Sequence, residues 1–343
     1  MREPPLDLAD ETLRACLRAE YGLAATEIAF RPLGHDSSAW VYRVRTADDA
    51  TYFLKARLSV TNEASLLVPR ALHDHGIARV VAPLPTAARA LWARAGGYAL
   101  ILYPFVAGTT GMALGMTDQQ WRDYGALLAQ IHATPVAPAL ARIMRREAFV
   151  PEWAAMVGRL DAHIGTQRFA DPAAQALATC WRAHRDEIRT ILDRAEDLGR
   201  RLARAAPPFV LCHADIHTGN VLLDTAGQVW IVDWDETILA PRERDLMFAV
   251  GGGISARLVG PREERCFVAG YGAGYGATAI DPLALAYYRA TWAVGDIGSY
   301  GEQVYFRPDF GPATKQAGAD ALIGLFAPGE IVSLALASGD DGG

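Results

Sequence analysis

His213-Ala214-Asp215-Ile216-His217-Thr218-Gly219-Asn220, followed by Ile231-Val232-Asp233-Trp234-Asp235, is the stretch on which the reading of this chain turns. Between its two parts, Val221 to Leu223 and Val229 to Val232 flank a turn around Thr225-Ala226-Gly227, a pattern that predicts an antiparallel hairpin. Asn220 immediately precedes one strand and Asp233 immediately follows the other. Both therefore belong at the open end of the hairpin, on chains about 5 Å apart. An amide oxygen and a carboxylate at that separation suit a hard cation such as magnesium, which takes oxygen ligands and keeps several waters. Asp215, on the loop leading in, is placed to orient and deprotonate an attacking hydroxyl.

Working outward, the segment before this stretch falls into two parts of different character. Leu13, Leu17 and Tyr21 recur at helical spacing behind Asp10, predicting an amphipathic opening helix. Strands are expected at Ile28 to Leu33, Ala39 to Arg45 and Thr51 to Ala56, and a helix over Asn62 to Asp74 that stops at Gly76. Further short strands are expected near Val80-Val81, at Leu91 to Ala93 and at Tyr98 to Tyr103, the last two joined by a tight turn at Gly96-Gly97. After Gly108 the pattern turns helical, with Trp121 to His132, most of Pro151 to Arg204, and Leu283 to Gln303 as the main segments. Phe209 to Cys212 is a further short strand, and the chain ends in a polar, Gly-rich tail from Ser338. The expected class is α+β with two lobes: residues 1–103 form a small, mostly antiparallel β lobe, 104–108 a connector, and 109–343 a larger helical lobe.

Composition narrows the function classes. The chain has 343 residues, 51% of them hydrophobic, so it can bury a substantial core and is not expected to be disordered. A net charge of -6 argues against a dedicated nucleic-acid binder. No signal peptide is visible at the polar start, and the longest apolar run, Tyr98 to Val106, is too short to span a bilayer. Four cysteines without CxxC spacing favour reduced thiols, so a cytoplasmic protein with no membrane association and no obligate protein partner is expected. Only two of the 33 basic residues are lysines, Lys55 and Lys315. A lysine within an expected strand, in a chain that otherwise uses arginine, suggests a position needing a compact point charge.

The HxDxxxxN pattern and the following metal aspartate resemble the catalytic loop of the kinase fold, in the form seen in aminoglycoside phosphotransferases and related antibiotic kinases. Ala240-Pro241-Arg242-Glu243-Arg244-Asp245-Leu246-Met247-Phe248 and Gly251-Gly252-Gly253-Ile254 look most like the spectinomycin phosphotransferase branch. So do Leu66-Leu67-Val68-Pro69-Arg70, Ile101-Leu102-Tyr103-Pro104-Phe105 and Ala286-Tyr287-Tyr288-Arg289, so the likeness runs from about residue 25 to about residue 305. It implies a bilobal protein-kinase-like fold and transfer of the γ-phosphate of ATP (or GTP), with Mg2+, to a hydroxyl of an antibiotic such as spectinomycin. Asp215 would be the catalytic base, and Asn220 and Asp233 the metal ligands. Lys55 would hold the α and β phosphates, and Glu63 would pair with it. Gly34, Ser37 and Ser38 would lie over the phosphates, and Tyr103, Pro104, Phe105 and Val106 would form the adenine-binding connector. Ala214 stands where protein kinases carry arginine, and Trp234-Asp235 where they carry Phe-Gly, which disfavours protein substrates.

Acidic and aromatic residues beyond the metal aspartate are candidates for the acceptor pocket: Asp235, Glu236, Trp292, Asp296, Tyr300 and Glu302. Carboxylates attract a cationic amine, and the aromatic rings stack a sugar, a base or an ammonium. A nucleoside antibiotic, or a metabolite such as choline, a sugar or homoserine, is an alternative acceptor on the same fold. Two other classes are open: a non-catalytic nucleotide-binding regulator, and a metal-dependent hydrolase built on His213, Asp215, His217, Asp233 and Asp235. The hydrolase leaves Lys55 and Glu63 without a role. Asp245 reads as a loop brace, His213 as structural, His132 as a packed or capping histidine, and Gly270-Tyr271-Gly272-Ala273-Gly274-Tyr275-Gly276 as a flexible connection.

Overall fold

The structure, a computed structural model, describes residue 5 and residues 7–32, 39–276 and 279–338. The elements run α1 (Asp10–Tyr21), β1 (Ala25–Arg31), β2 (Ala39–Thr46), β3 (Thr51–Arg57), α2 (Ala64–Asp74), β4 (Ala93–Ala95), β5 (Tyr98–Pro104), β6 (Gly108–Thr110) and α3 (Gly111–Leu114). They continue through α4 (Asp118–Ala133), α5 (Pro138–Ile143), β7 (Arg145–Arg146), α6 (Ala154–Thr166), α7 (Pro172–Ala183), α8 (Arg185–Ala205), β8 (Val210–Cys212), β9 (Val221–Asp224) and β10 (Val229–Ile231). The last are β11 (Ile238–Ala240), α9 (Glu243–Leu246), α10 (Pro261–Tyr275), α11 (Pro282–Tyr305), α12 (Pro312–Gly324) and α13 (Ile331–Ala337). The chain divides into two compact units: Met1–Leu114 with Thr134–Arg145 and Gly219–Thr237, and Gly115–Ala133 with Arg146–Thr218 and Ile238–Gly343.

The first unit is organised by an antiparallel sheet in the order β1-β2-β3-β5-β4. Strand alternation puts Tyr42, Val44, Leu54, Ala56, Leu100 and Leu102 into one core, which α1 joins with Leu13 and Leu17. Lys55, between Leu54 and Ala56, therefore faces the opposite side, in register with Val41 on β2 and Ile101 on β5. The turn after β4 fixes its position. Gly96 takes φ +57, so β4 runs up to Ala95, opposite Tyr98, and starts at Ala93, where the pattern placed a strand's end.

A second, three-stranded sheet, β10-β9-β6, completes this unit. Gly108 opens β6 opposite Asp224, and the contact requires glycine: a Cβ there would lie 2.1 Å from the Leu223 carbonyl oxygen. On its other side β10 meets the chain after α2. Val81 donates to the Ile231 carbonyl at 3.0 Å and Ile231 donates to that of Arg79 at 3.0 Å, so the Val80 segment contributes one parallel bridge rather than a strand. These bonds explain why residues 219–237 cluster with the N-terminal sheet, although a single cut at 104–108 would assign them to the helical part.

The second unit is mainly helical. Leu160, Leu177, Trp181, Ile191, Ala293, Ile297, Leu322 and Val332, from α6, α7, α8, α11, α12 and α13, form its main core. The Gly-rich segment expected as a connection is instead the last turns of α10, packed closely on α4. A Cβ on Gly270 would meet the Arg122 carbonyl oxygen at 2.0 Å, and one on Gly125 that of Phe267 at 2.2 Å. Those glycines serve helix-to-helix approach, and the sequence offered no marker separating that use from a turn. A short antiparallel pair, β8 with β11 (Cys212 opposite Ile238), delivers the chain into the loop at His213.

Candidate active site

In the first unit the side chains gather around Lys55. Its ammonium lies 2.6 Å from Asp235 Oδ2 and 3.3 Å from Asp233 Oδ1. Arg57, two residues along the same strand face, reaches Asp235 Oδ1 at 3.1 Å. Asn62 Nδ2 donates to the Asp235 carbonyl at 3.1 Å. Burial works against the charge on Lys55, but the carboxylates of Asp233 and Asp235 outweigh it and hold the ammonium's pKa above its usual value. Glu63 is not at this cluster. It is exposed, immediately before α2, and among the described residues Lys55 pairs with Asp233 and Asp235.

The hairpin mouth is formed as its sequence predicts. Ile231 pairs with Val221, and Val232 donates to the Asn220 carbonyl at 3.1 Å, which brings Asn220 and Asp233 to facing chain ends. Asp233 has φ +62, a conformation rare outside glycine. Its side chain is 47% exposed, whereas the next residue, Trp234, is 3% exposed and anchors the turn. An amide oxygen and a solvent-facing carboxylate are a donor set that fits magnesium. Tyr103 and Pro104 close β5 opposite Phe53 and Tyr52; Phe105 is exposed and Val106 half-buried beyond them. Burial, then the charges of Asp235 and Asp233, push the Tyr103 hydroxyl's pKa up. Glu236 pairs with Arg145 at 2.6 Å. Gly34, Ser37 and Ser38 lie outside the described residues.

In the second unit the loop carrying Asp215 is held from below by one buried carboxylate. Asp245, fully buried, accepts from the His213 N–H at 2.8 Å, the Ala214 N–H at 2.7 Å and His132 Nε2 at 3.1 Å. The second nitrogen of His132 is bonded to the Tyr271 hydroxyl at 2.8 Å. Ala214 takes φ +70 between these two bonds, so the brace stabilises a strained turn immediately before Asp215. The Asp215 N–H then donates to His213 Nδ1 at 3.2 Å, which leaves the His213 proton on Nε2. Burial would raise the Asp245 pKa, but the hydrogen bond and charge of His132 and the Ala214 N–H outweigh it and hold it below the usual carboxylate value. Among the described residues, the side chains whose donor atoms come within 4.8 Å of one another in metal-binding fashion are His132, Cys212 and Asp245. Each of the three is engaged by hydrogen bonds inside the fold. Among the described residues of the second unit, His213, Asp215 and His217 do not gather in that way.

From Asp215 a line of contacts leads to α11. Asp215 Oδ1 lies 3.5 Å from His217 Nε2, the His217 ring is 6.2 Å from that of Phe248, and Phe248 meets Trp292 edge-on at 4.8 Å. Trp292, Asp296 and Tyr300 recur at i, i+4 and i+8 along α11, so they share one face. Arg244 sits over the Trp292 ring at 5.4 Å. Burial pushes the Asp296 carboxyl up to about 7, against the pull of the Trp292 indole. Glu302, half-buried, turns away from Tyr300 by about 160° on the helical wheel. Arg57, Asn62 and Arg145 had no functional place in the sequence reading, and His217 entered it only in the hydrolase alternative. Only Arg57 carried a signal, its i+2 offset from Lys55.

This combination, a strand lysine set on the carboxylate that ends a hairpin and a separately braced HxDxxxxN loop, is the chemistry of a kinase. The family model of the phosphotransferase enzyme family, APH, matches residues 29–288, and the chain belongs to that family. It is a phosphotransferase of kinase-like fold. The crystal structure of spectinomycin phosphotransferase APH(9)-Ia in complex with ADP and spectinomycin is similar at 30% identity and TM-score 0.88, over 97% of this chain and 99% of that one. The AMP-bound complex of the same enzyme matches at 29% identity and TM-score 0.82, over 96% and 98%. An amicoumacin kinase in complex with AMP-PNP and Ca2+ shares the fold at 16% identity and TM-score 0.61, over 95% and 97%. No curated protein sequence matches. Among the described residues, no helix is long and apolar enough to cross a membrane.

Proposed function

We propose that the chain transfers the γ-phosphoryl group of ATP to a hydroxyl of an aminocyclitol antibiotic such as spectinomycin, an activity that would confer resistance; GTP is the alternative donor. The observation that carries this reading is Lys55 Nζ held 3.3 Å from Asp233, the residue that faces Asn220 across the hairpin mouth. Lys55 binds the α and β phosphates, and Tyr103 to Val106 receive the purine. Asn220 and Asp233 would hold a magnesium ion, which would supply charge neutralisation on the phosphates. Asp215 accepts the proton of the acceptor hydroxyl; the new P–O bond forms on that oxygen, the bond to the β-phosphate oxygen breaks, and ADP leaves.

Support for a cationic acceptor comes from α11. A half-buried carboxylate with a raised pKa, flanked at i±4 by Trp292 and Tyr300, is complementary to an ammonium group between aromatic rings. The likeness to spectinomycin phosphotransferase points the same way. The test is mass spectrometry of a panel of aminocyclitol, aminoglycoside and nucleoside antibiotics after incubation with ATP and magnesium. The reading expects a single phosphate on spectinomycin or a close analogue. Phosphate on a nucleoside alone, or on nothing, removes it.

A further inference from the structure

The geometry points to Asp235 as the positioning residue that holds Lys55, a duty that the family resemblance would give to Glu63. This rests on the phosphotransfer reading and concerns the same lysine. Both Asp235 carboxylate oxygens are engaged, Oδ2 with Lys55 at 2.6 Å and Oδ1 with Arg57 at 3.1 Å. Lys55 and Arg57 are two residues apart on one strand face, where like charges repel; a carboxylate between them removes that repulsion and fixes both heads. The side chain of Asp235 is 23% exposed and that of Asp233 47%, so the shorter contact is also the better shielded, where a charge pair is stronger.

Asp235 is itself held. Asn62 Nδ2 donates to its carbonyl at 3.1 Å, while the Asn62 carbonyl accepts from Ser65 Oγ at 2.7 Å, which ties the acid to the first turn of α2. Buried Trp234 separates it from Asp233, so the two acids take different tasks: Asp233 keeps an exposed carboxylate for a cation, and Asp235 keeps the lysine in place. Glu63 stands exposed one residue beyond Asn62 and is left without that task. With one oxygen on Lys55 and the other on Arg57, Asp235 serves the lysine rather than the acceptor.

A double-mutant cycle on the full chain tests this, read as affinity for AMP-PNP by titration calorimetry at several magnesium concentrations, so that no acceptor is needed. Lys55→Ala weakens binding roughly ten- to hundredfold, the range for a hydrogen bond to a charged group. Asp235→Asn weakens it by about fivefold or more, and the double variant binds within about twofold of Lys55→Ala alone, because Asp235 acts through the lysine. Full multiplication of the two single losses overturns the inference. So does an Asp235→Asn protein with unchanged affinity at saturating magnesium and a raised magnesium requirement, the behaviour of a metal ligand. Should Asp235→Asn fail to fold, Asp235→Glu runs the same cycle and restores part of the affinity. A wild-type chain that binds no nucleotide removes the phosphotransfer reading, and this inference with it.

Discussion

Replacing Asp245 by alanine removes the carboxylate that braces the Asp215 loop. The substitution strips a fully buried acceptor from two backbone N–H groups, at His213 and Ala214, and from His132 Nε2. Each buried donor left without a partner costs about 1–3 kcal/mol. Loss of one member of a buried charged network typically costs about 3–5 kcal/mol in total. Urea unfolding should show that loss as a lower midpoint with little change in slope. Asp245→Asn keeps one acceptor but turns an amide donor toward an N–H, so it recovers only part of the loss. The Asp215 loop depends on the same bonds, so activity per folded molecule falls as well. The sign with pH is fixed: the Asp245 pKa is depressed in the fold, so its contribution is complete above the unfolded carboxylate value near ~4 and disappears as pH falls through the lower folded value. A loss under about 1 kcal/mol at neutral pH would refute the brace, because it would mean those N–H groups find water or other partners at little cost.

Other outcomes follow from single features. Asp296, raised to about 7 by burial, costs stability as pH climbs from ~4 to ~7; Asp296→Asn therefore stabilises the protein at pH 8 by roughly 1–3 kcal/mol and not at pH 3. On the proposed acceptor site, steady-state kinetics should show the wild type's KM for a cationic acceptor falling between about pH 6 and 8, and Asp296→Asn should remove that fall. Gly270→Ala places a Cβ 2.0 Å from the Arg122 carbonyl oxygen, so it forces α10 from α4 and lowers stability by about 1–3 kcal/mol or more in thermal melts. Arg145→Ala, which loses a pair exposed at both ends (43% and 55%), changes stability by less than about 1 kcal/mol.

The hairpin and the strand around Lys55 were the local features most legible in the sequence. Asn220 and Asp233 were legible because a two-stranded ribbon with a short turn leaves little freedom in where its open end lies. The strand alternation around Lys55 was legible for the same local reason. What escaped was set by distant partners. The three residues of β6 have no pattern of their own and become a strand through pairing with β9. The hairpin's allegiance to the N-terminal sheet rests on two backbone bonds to the Val80 segment, which no side chain announces. The α10 glycines looked like a loop because the close approach that requires them is made by α4. Asp235 illustrates the limit within the site: its residue type suited an acceptor pocket equally well, and only the fold brings it onto Lys55 and Arg57.

Transfer of label from γ-phosphate-labelled ATP to spectinomycin, compared between the wild-type chain and Asp215→Ala at equal nucleotide occupancy, tests the central claim most directly. The account predicts labelled antibiotic from the wild type, and from the variant none despite undiminished binding of magnesium and nucleotide. Labelled antibiotic formed by Asp215→Ala at the wild-type rate would contradict it.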